Sequence, residues 1–350
     1  MTHKERILAV IEHKPVDKIP TDYWGTLEAT EKFIRELNLS SEVDLWKKFD
    51  IDKIISVSPK YIGPPLENMS DYWGIRYKPI IYGNGLGTYD EISYYPLQGF
   101  NTIEEIDENY TWPKVDWFDF SCIEEQCEKY PEYAVEGGYM APFYMYANIR
   151  GLEQTLIDLA INEELAHYII GRITQFLYEY HERFFDSGKG KIDIAQVTDD
   201  FGTQQGLIMS IDMFDKFFKE PYRRLIKLVK DYGIKVFHHD DGSIMPLIPR
   251  LVELGIDILN PIQWHLPGMD IKELKVKFGD YISFHGGIDN QYVLPFGKPE
   301  EVKKEVLYCL DILASDGTGY ILAPCHNIQV NTPTENFVAM YDTANEYRNI

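Results

Sequence analysis

The pattern that governs the fold is clearest in three closely spaced segments, IDIAQVTDD (192–200), SIDMFDKFFKEPYRRLIKLVKDYG (210–233) and IKVFHHDDG (234–242). The first and third are short apolar runs that end in polar residues. The second carries apolar residues at helical spacing, and Ser210 is placed to cap it. A strand, a helix and a second strand in this order are typical of βα units and a parallel sheet.

The alternation extends over most of the chain. Further strands are predicted over 19–25, 52–59, 133–143, 256–263, 281–289 and 320–327, and further helices over 145–187, 244–255, 269–279 and 299–315. Three strands in the N-terminal half and five in the C-terminal half make eight, the number in a (β/α)8 barrel. We therefore predict one α/β domain over residues 1–350, a (β/α)8 TIM barrel. An open doubly wound sheet is the alternative, although neither GxGxxG nor GxxxxGK[ST] occurs.

One segment departs from this pattern. Residues 60–130 are rich in Tyr, Trp, Pro and Gly, which predicts an irregular insertion in the N-terminal third. Within it, YGNGLGTYDEISYYP (82–96) is predicted to form a β-hairpin.

The composition excludes several classes of protein. The chain of 350 residues carries 34 Lys and Arg against 56 Asp and Glu, a formal charge of −22. Because nucleic-acid affinity is built largely from basic residues that neutralise phosphates, no nucleic-acid partner is expected. A hydrophobic content of 45% excludes disorder, and four cysteines without regular spacing do not make a disulfide framework. No apolar run approaches the ~18 residues of a membrane span, so a soluble cytoplasmic protein without membrane association is expected.

The densest group of chemically active residues is FHHDDG (237–242), at the end of an apolar strand. Since side chains alternate along a strand, His239 and Asp241 should share one face, and His238 and Asp240 the other. An imidazole and a carboxylate on one rim can hold a divalent metal or act as a base with its orienting partner. A loop cap with a surface histidine is the alternative.

A second group, APCHNIQ (323–329), follows the last strand, which lies beside the first strand in a closed barrel. Cys325 and His326 are zinc ligands when deprotonated and neutral, respectively. Alternatively, Cys325 is buried and inert, and His326 acts as an acid, a base or a hydrogen-bond donor.

Other strand ends supply further candidates. The predicted catalytic or substrate-binding residues are Asp199, Asp200, Gln204, Asn260, Gln263, His285, Asp289 and Tyr146. No GxSxG, HExxH or CxxC motif is present, so serine hydrolases, zincins and zinc ribbons are not favoured.

Five segments together resemble the uroporphyrinogen decarboxylase superfamily. They are ERILAVIEHKPVDKIP (5–20), DDFGTQQGLIMSIDMFDKFFKEPYRRLI (199–226), GIDILNPIQ (255–263), FHGGIDNQYVLPFGKPEEVKKEV (284–306) and GYILAPCHNIQVNTPTENFVAMYDTANEY (319–347). The resemblance implies a single (β/α)8 barrel with a deep cleft at its C-terminal face. It also implies one of two reactions, porphyrinogen decarboxylation or corrinoid-dependent methyl transfer with zinc.

The chain departs from the decarboxylase pattern at two positions. The decarboxylases carry an arginine-rich motif after the first strand, where this chain reads TDYWGTL (21–27), and an essential Asp at the second strand, where it reads IISVSPKY (54–61). A substrate with eight carboxylates would meet repulsion from the acidic rim. The resemblance therefore favours the methyltransferase branch.

The methyltransferases of the superfamily place zinc on an H-x-C motif after the fifth strand and on a Cys shortly before a Thr-Pro pair. Here His239 and Asp241 match the first motif, and His326, beside Cys325, falls at the third ligand position. The resemblance implies a divalent metal, zinc first, on His239, Asp241 and His326 with Cys325 as a further ligand, and Asp200 and His285 as residues that position a small-molecule substrate. A corrinoid protein would be the methyl-carrying partner, and a Tyr- and Phe-rich surface is compatible with a homodimer.

Two alternatives stay open. The first is a decarboxylase of a tetrapyrrole or smaller carboxylic acid, in which Asp200 stabilises a protonated intermediate and His326 is an acid or base. The second is a barrel without catalysis that binds a tetrapyrrole or another small ligand.

Overall fold

The structure is a computed structural model that describes residues 1–67, 69–82 and 87–347. Its helices are α1 (His3–Ile11), α2 (Leu27–Glu36), α3 (Glu42–Lys48), α4 (Ile103–Asn109), α5 (Ile123–Glu128), α6 (Pro142–Arg150), α7 (Leu152–Ile161), α8 (Glu163–Gly188), α9 (Ile211–Phe217), α10 (Lys219–Asp231), α11 (Ile248–Leu254), α12 (Ile271–Phe278), α13 (Val293–Phe296), α14 (Pro299–Leu313) and α15 (Thr334–Glu346). Its strands are β1 (Ile54–Val57), β2 (Lys60–Tyr61), β3 (Arg76–Tyr82), β4 (Gly87–Tyr94), β5 (Phe118–Asp119), β6 (Ala134–Met140), β7 (Ile194–Val197), β8 (Lys235–His239), β9 (Ile258–Asn260), β10 (Ser283–Ile288) and β11 (Tyr320–Pro324).

The main sheet has seven parallel strands in the order β1-β6-β7-β8-β9-β10-β11. Each of its strands falls inside one of the predicted segments, and helices occupy the connections between strands. The prediction of an α/β fold of the TIM-barrel type is therefore confirmed.

The eighth predicted strand, 19–25, is reduced to two parallel bridges, Thr21 to Leu322 and Gly25 to Ile328. On one side, Asp22 N–H donates to Leu322 O at 2.9 Å, which joins the segment to β11. On the other, Ile54 N–H of β1 donates to the Asp22 carboxylate instead of a backbone carbonyl. Because a side chain replaces part of the ladder, the segment lies between the two edge strands without becoming a regular strand.

The helix predicted over 210–233 is two helices, α9 and α10, which meet at Phe218. Pro221 explains the interruption because it has no N–H to donate to the carbonyl of Phe217, four residues earlier. As predicted, Ser210 caps the first helix and accepts a hydrogen bond from Met213 N–H at 3.1 Å.

The insertion over 60–130 contains short elements of its own. β3 and β4 form an antiparallel hairpin with Ile80 opposite Tyr89, and β2 pairs with β5. A hairpin is therefore present, but the segment predicted to form it, 82–96, supplies mainly its second strand, β4, while the first strand, β3, largely precedes that segment. Residues 83–86 lie outside the described residues. The insertion packs against α8 through Trp73, whose ring lies 5.1 Å from that of Phe176.

A plug of apolar side chains fills the N-terminal half of the barrel. It consists of Ile7, Val10, Ile11, Ile54, Ala134, Ile194, Phe237, Ile258 and Ile321, all buried. Since side chains alternate along each strand, the residues two positions further on point into the same interior, one layer closer to the C-terminal face. That layer contains Ser56, Glu136, Gln196, His239 and Asn260, so polar residues replace the apolar plug there. Among the helices of the described ranges, none is both long and apolar enough to cross a membrane.

Candidate active site

Three side chains predicted as metal ligands converge at the C-terminal face of the barrel. His239, Asp241 and His326 each offer a ligand atom, and these atoms lie within 4.8 Å of one another. His239 is the last residue of β8, Asp241 follows two positions later, and His326 follows β11 across the barrel. A divalent cation can bind between such atoms because imidazole nitrogens and a carboxylate oxygen are common ligands of first-row metals.

Cys325 lies outside this cluster. Its side chain is buried, and Sγ donates to the carbonyl of Ile262 at 3.5 Å. Burial raises the pKa of the thiol well above its usual range, which disfavours the thiolate that a metal would need. The side chain of Cys325 is thus turned to the packed interior between strand ends, while that of the next residue, His326, reaches the cluster.

Asn260 fixes the orientation of His239. Asn260 Nδ2 donates to the backbone carbonyl of His285 at 3.3 Å, and a carbonyl can only accept, so the amide can have only one orientation. Asn260 Oδ1 therefore faces His239 Nδ1 at 2.5 Å and accepts its proton. The neutral ring of His239 consequently has its lone pair on Nε2, and Nε2 lies 3.9 Å from Asp241 Oδ2.

The same network continues to Asp22. Asn260 Nδ2 also lies 2.7 Å from His285 Nδ1, so the proton of His285 is on Nε2, which donates to Asp22 Oδ2 at 3.1 Å. Both His285 and Asp22 are fully buried. Although burial opposes ionisation, Lys53 and the hydrogen bond from His285 lower the pKa of Asp22 to about 2. A chain of buried hydrogen bonds thus runs from the Asp22 carboxylate through His285 and Asn260 and fixes the orientation of His239.

The three-residue cluster has a buried carboxylate oxygen that a cation could contact. Burial raises the pKa of Asp241 and lowers the pKa of His326, so the cluster disfavours charge on either side chain. Asp241 Oδ1 is buried and has no hydrogen-bond partner among the described residues. A bound cation would compensate the carboxylate and occupy that free oxygen.

His326 has a second chemical capacity. Its Nδ1 accepts a hydrogen bond from Asn327 N–H at 2.8 Å, so in the neutral ring the proton lies on Nε2. His326 can therefore donate a proton as it stands. It can bind a metal only if Nδ1 gives up the contact with Asn327, so that either Nδ1 binds the metal or the proton moves to Nδ1 and leaves Nε2 free.

Of the two adjacent aspartates, Asp200 lies beside the cluster. Asp200 Oδ1 accepts a hydrogen bond from Asp241 N–H at 3.3 Å. Asp199, predicted to bind substrate, is instead buried and accepts from Phe143 N–H, Tyr144 N–H and the Tyr222 hydroxyl. Its carboxylate is occupied by the start of α6 and is not available to a ligand.

The remaining predicted residues have structural contacts. Gln263 Oε1 accepts from Gly242 N–H at 2.6 Å and holds the turn after β8, and Asp289 Oδ1 accepts from two backbone N–H groups of its own loop. Gln204 is exposed on the loop after β7.

Tyr146, predicted to bind substrate, is fully buried, and its hydroxyl donates to Asp158 at 2.8 Å. This corrects the prediction that Tyr146 binds substrate, because its side chain belongs to a buried ion-pair cluster between α6 and α7.

A cavity of about 220 Å³ opens at the barrel mouth, and none of its lining residues is among the predicted site residues. Trp24, Lys53, Ser56, Glu136, Gln196 and Asn327 are among the residues that line it. Trp24 joins this cavity to the cluster, because its ring lies 5.8 Å from that of His239 and 6.5 Å from that of His326. A signal for these residues was present in the sequence, since Glu136 and Gln196 are polar residues inside otherwise apolar strands.

Comparisons with known proteins identify the family of the chain. The sequence model of the family described as "Uroporphyrinogen decarboxylase (URO-D)" matches residues 118–347. The chain is 26% identical over 216 residues to a uroporphyrinogen decarboxylase of Anaeromyxobacter dehalogenans, a match that covers 61% of this chain and 55% of that protein. It is 23% identical over 222 residues to one of Nostoc punctiforme, covering 61% and 54%. These matches span about half the length of the curated relatives.

Among solved structures, the chain is similar to a methyltransferase from Methanosarcina mazei, with a TM-score of 0.69, 18% identity and 99% of each chain covered. At this identity the likeness shows the fold. The family match covers more than half of the residues and includes β6–β11 and the whole of the His239, Asp241 and His326 cluster. The chain therefore belongs to the uroporphyrinogen decarboxylase family.

Proposed function

We propose that this chain is a metal-dependent methyltransferase in which His239, Asp241 and His326 hold a divalent cation. The observation that carries the proposal is the convergence of their ligand atoms within 4.8 Å. The buried hydrogen bond from His239 to Asn260 supports it, because histidine ligands of metals usually donate their second ring N–H to a neighbouring polar group.

Two nitrogens and one oxygen form a harder donor set than a thiolate-rich zinc site. Zinc still fits, since catalytic zinc is often bound by two histidines and a carboxylate with a position left for substrate. A cation bound there would polarise the oxygen or sulfur atom of the methyl donor or acceptor. The side chain of Asp200, beside Asp241, is placed to contact a substrate at the open side of the cluster.

The residues of the chain itself have three tasks in this proposal. Asn260 and His285 keep the Nε2 of His239 unprotonated and aimed at the cluster. Trp24 forms an apolar wall beside His239 and His326, which limits the access of water. The cavity lined by Lys53 and Glu136 would receive the small-molecule substrate. A corrinoid protein would carry the methyl group, as the family resemblance implies; the Methanosarcina mazei neighbour is named only as a methyltransferase.

Metal analysis of the full chain purified without chelators tests the proposal. We expect about one equivalent of a divalent metal in the wild type and less than about a tenth of an equivalent in His239→Ala. His167→Ala, at a position where the side chain is 47% exposed, is the matched control and should keep its metal. A wild-type protein with less than about a tenth of an equivalent, even after incubation with zinc, contradicts the proposal.

The second candidate function is decarboxylation of a small carboxylic acid. The contact between Asn327 N–H and His326 Nδ1 supports it, because His326 then carries a proton on Nε2. The names of the curated relatives point to the same reaction. Release of carbon dioxide that is lost in Asp200→Asn and insensitive to chelators would favour decarboxylation over methyl transfer.

A further inference from the structure

A second cavity, of about 260 Å³, lies between the ends of β1 and β6, helix α8 and the insertion. Six aromatic residues contribute to its wall: Tyr72, Trp73, Tyr139, Phe176, Tyr180 and Phe184. Several of these rings support one another, with Phe176 lying 5.1 Å from Trp73 and 5.8 Å from Tyr180. The cavity is therefore an aromatic chamber with fixed walls and a volume suited to a small molecule.

One carboxyl group faces this chamber. Glu136 lines both the aromatic chamber and the cavity at the barrel mouth, together with Ser56 and Gln196. Glu136 Oε1 accepts a hydrogen bond from Gln196 Nε2 at 2.8 Å, which holds the carboxyl group at the junction of the two cavities. A group bound to Glu136 would thus extend from the aromatic chamber toward the side of the barrel that carries the metal cluster.

Among the described residues that line the chamber, none is a cation that neutralises Glu136. The one described lining residue with a basic side chain is His181. Its Nδ1 donates to Leu177 O at 2.6 Å, and its Nε2 accepts from Tyr139 N–H at 3.0 Å. Burial lowers the pKa of His181 to about 4, so the ring is neutral.

Lys53 approaches Glu136 from the barrel mouth and is already engaged elsewhere. Its Nζ donates to Tyr23 O at 2.9 Å and lies 3.8 Å from Asp22 Oδ1. Because Asp22 is a buried carboxylate, the charge of Lys53 is compensated there. The aromatic chamber therefore offers ring surfaces and one carboxyl group, and the described residues of its lining offer no positive charge at neutral pH.

We propose that the aromatic chamber binds a methylated ammonium group, with the rings around its methyl groups and Glu136 as its counter-ion. Aromatic rings attract cations through the negative potential of their faces, and quaternary ammonium groups are bound by such cages because they cannot be satisfied by hydrogen bonds. The acidic charge of −22 favours the approach of a cation over that of an anion. Binding of the cation does not depend on the proposed function. Only its assignment as the methyl donor, or as part of the methyl donor, rests on that function.

Calorimetric titration of the full chain with choline, at about pH 8 so that Glu136 is ionised, tests the inference. The neutral carbon isostere of choline, which has the same shape and no charge, is the matched ligand. We expect choline to bind at least about tenfold more tightly than the isostere. This comparison needs no variant, so it stands even if a substitution impairs folding.

Two pairs of variants locate the site. Glu136→Gln should weaken choline binding about tenfold and leave the isostere unaffected, whereas Glu153→Gln, on the exposed face of α7, should change neither. Tyr180→Leu should weaken choline binding about tenfold, whereas Tyr180→Phe, which keeps the ring, should stay within about threefold. Equal binding of choline and its isostere, no binding of choline, or insensitivity to Glu136→Gln would each overturn the inference. Because these titrations need neither metal nor methyl transfer, their failure is distinguishable from failure of the proposed function.

Discussion

His239 Nδ1 lies 2.5 Å from Asn260 Oδ1, and this contact decides which nitrogen of His239 faces the cluster. Asn260 is fully buried and bonded at both ends of its amide, to His239 and to His285. The position of a ligand atom at the barrel mouth therefore depends on a side chain that does not touch the proposed metal. Such second partners of a metal-bound histidine typically account for a 10–100-fold factor in metal affinity.

The first prediction concerns Asn260→Leu, which keeps the size of the side chain and removes both contacts. We expect zinc affinity to fall by about 10- to 100-fold, measured by competition with a chromophoric chelator. Asn260→Asp keeps an acceptor for His239 Nδ1 and should retain more of the affinity than the leucine variant. Equal losses in the two variants would show that the acceptor at His239 Nδ1 does not matter for metal binding.

The second prediction concerns Gly202, on the loop after β7. A Cβ added there would lie 2.1 Å from the backbone carbonyl oxygen of Asp241, so Gly202→Ala must displace the turn that carries this ligand. We expect weaker metal binding and a loss of stability of about 1–3 kcal/mol from overpacking, measured by chelator competition and urea unfolding. Gly171→Ala is the matched control, because nothing lies within 4 Å of a Cβ there. Unchanged metal affinity in Gly202→Ala would mean that Asp241 is not a ligand.

Much of the fold could be predicted from periodicity. Each strand of the main sheet lies in a largely apolar segment, and the amphipathic segments between strands form helices. The spacing of the apolar residues distinguishes the two, because a strand and a helix bury one face with different periods. The break at Phe218 was predictable from Pro221, whereas the loss of a regular first strand was not. It depends on Asp22 accepting the N–H of Ile54, a contact between residues far apart in the chain.

The candidate site was predictable where two of its residues lie in one sequence motif, as His239 and Asp241 do. It was not predictable where the partners come from different strands. Asp22 is not part of a recognisable motif, and Glu136 stands alone in an apolar strand, so neither residue was predicted. Alternation from the apolar plug identifies the latter, since Glu136 lies two residues after the buried Ala134.

The third prediction concerns the buried ion pair between α6 and α7. Arg150 Nε donates to Asp158 Oδ2 at 2.8 Å, and both side chains are almost completely buried. Asp158→Asn leaves the guanidinium without a counter-ion, so we expect a loss of about 3–5 kcal/mol in the free energy of unfolding, measured in urea. Asp116→Asn breaks the exposed pair with Arg183 and should have little effect. Similar losses in the two variants would contradict the role assigned to burial.

The fourth prediction is a pH dependence of stability that originates at Glu136. Burial raises the pKa of Glu136 from 4.5 to about 7, with Asp22 acting in the same direction and Lys53 and the hydrogen bond from Gln196 opposing it. Between these two values the folded protein holds a proton that the unfolded chain has released. The free energy of unfolding therefore decreases as pH rises through this range, and the contribution is constant above about pH 7.

Glu136→Gln removes this proton linkage and nearly preserves the shape of the side chain. We therefore expect the variant to gain stability relative to the wild type, on the order of 2–3 kcal/mol, between about pH 5 and pH 8. Urea unfolding of both proteins at these two pH values measures the difference, with Glu153→Gln as the exposed control that should run parallel to the wild type. Parallel profiles for Glu136→Gln and the wild type would show that Glu136 is ionised throughout this range in the folded protein, contrary to the prediction. An added ammonium ligand should act in the opposite sense to burial, because it stabilises the ionised carboxylate and so lowers the pKa of Glu136.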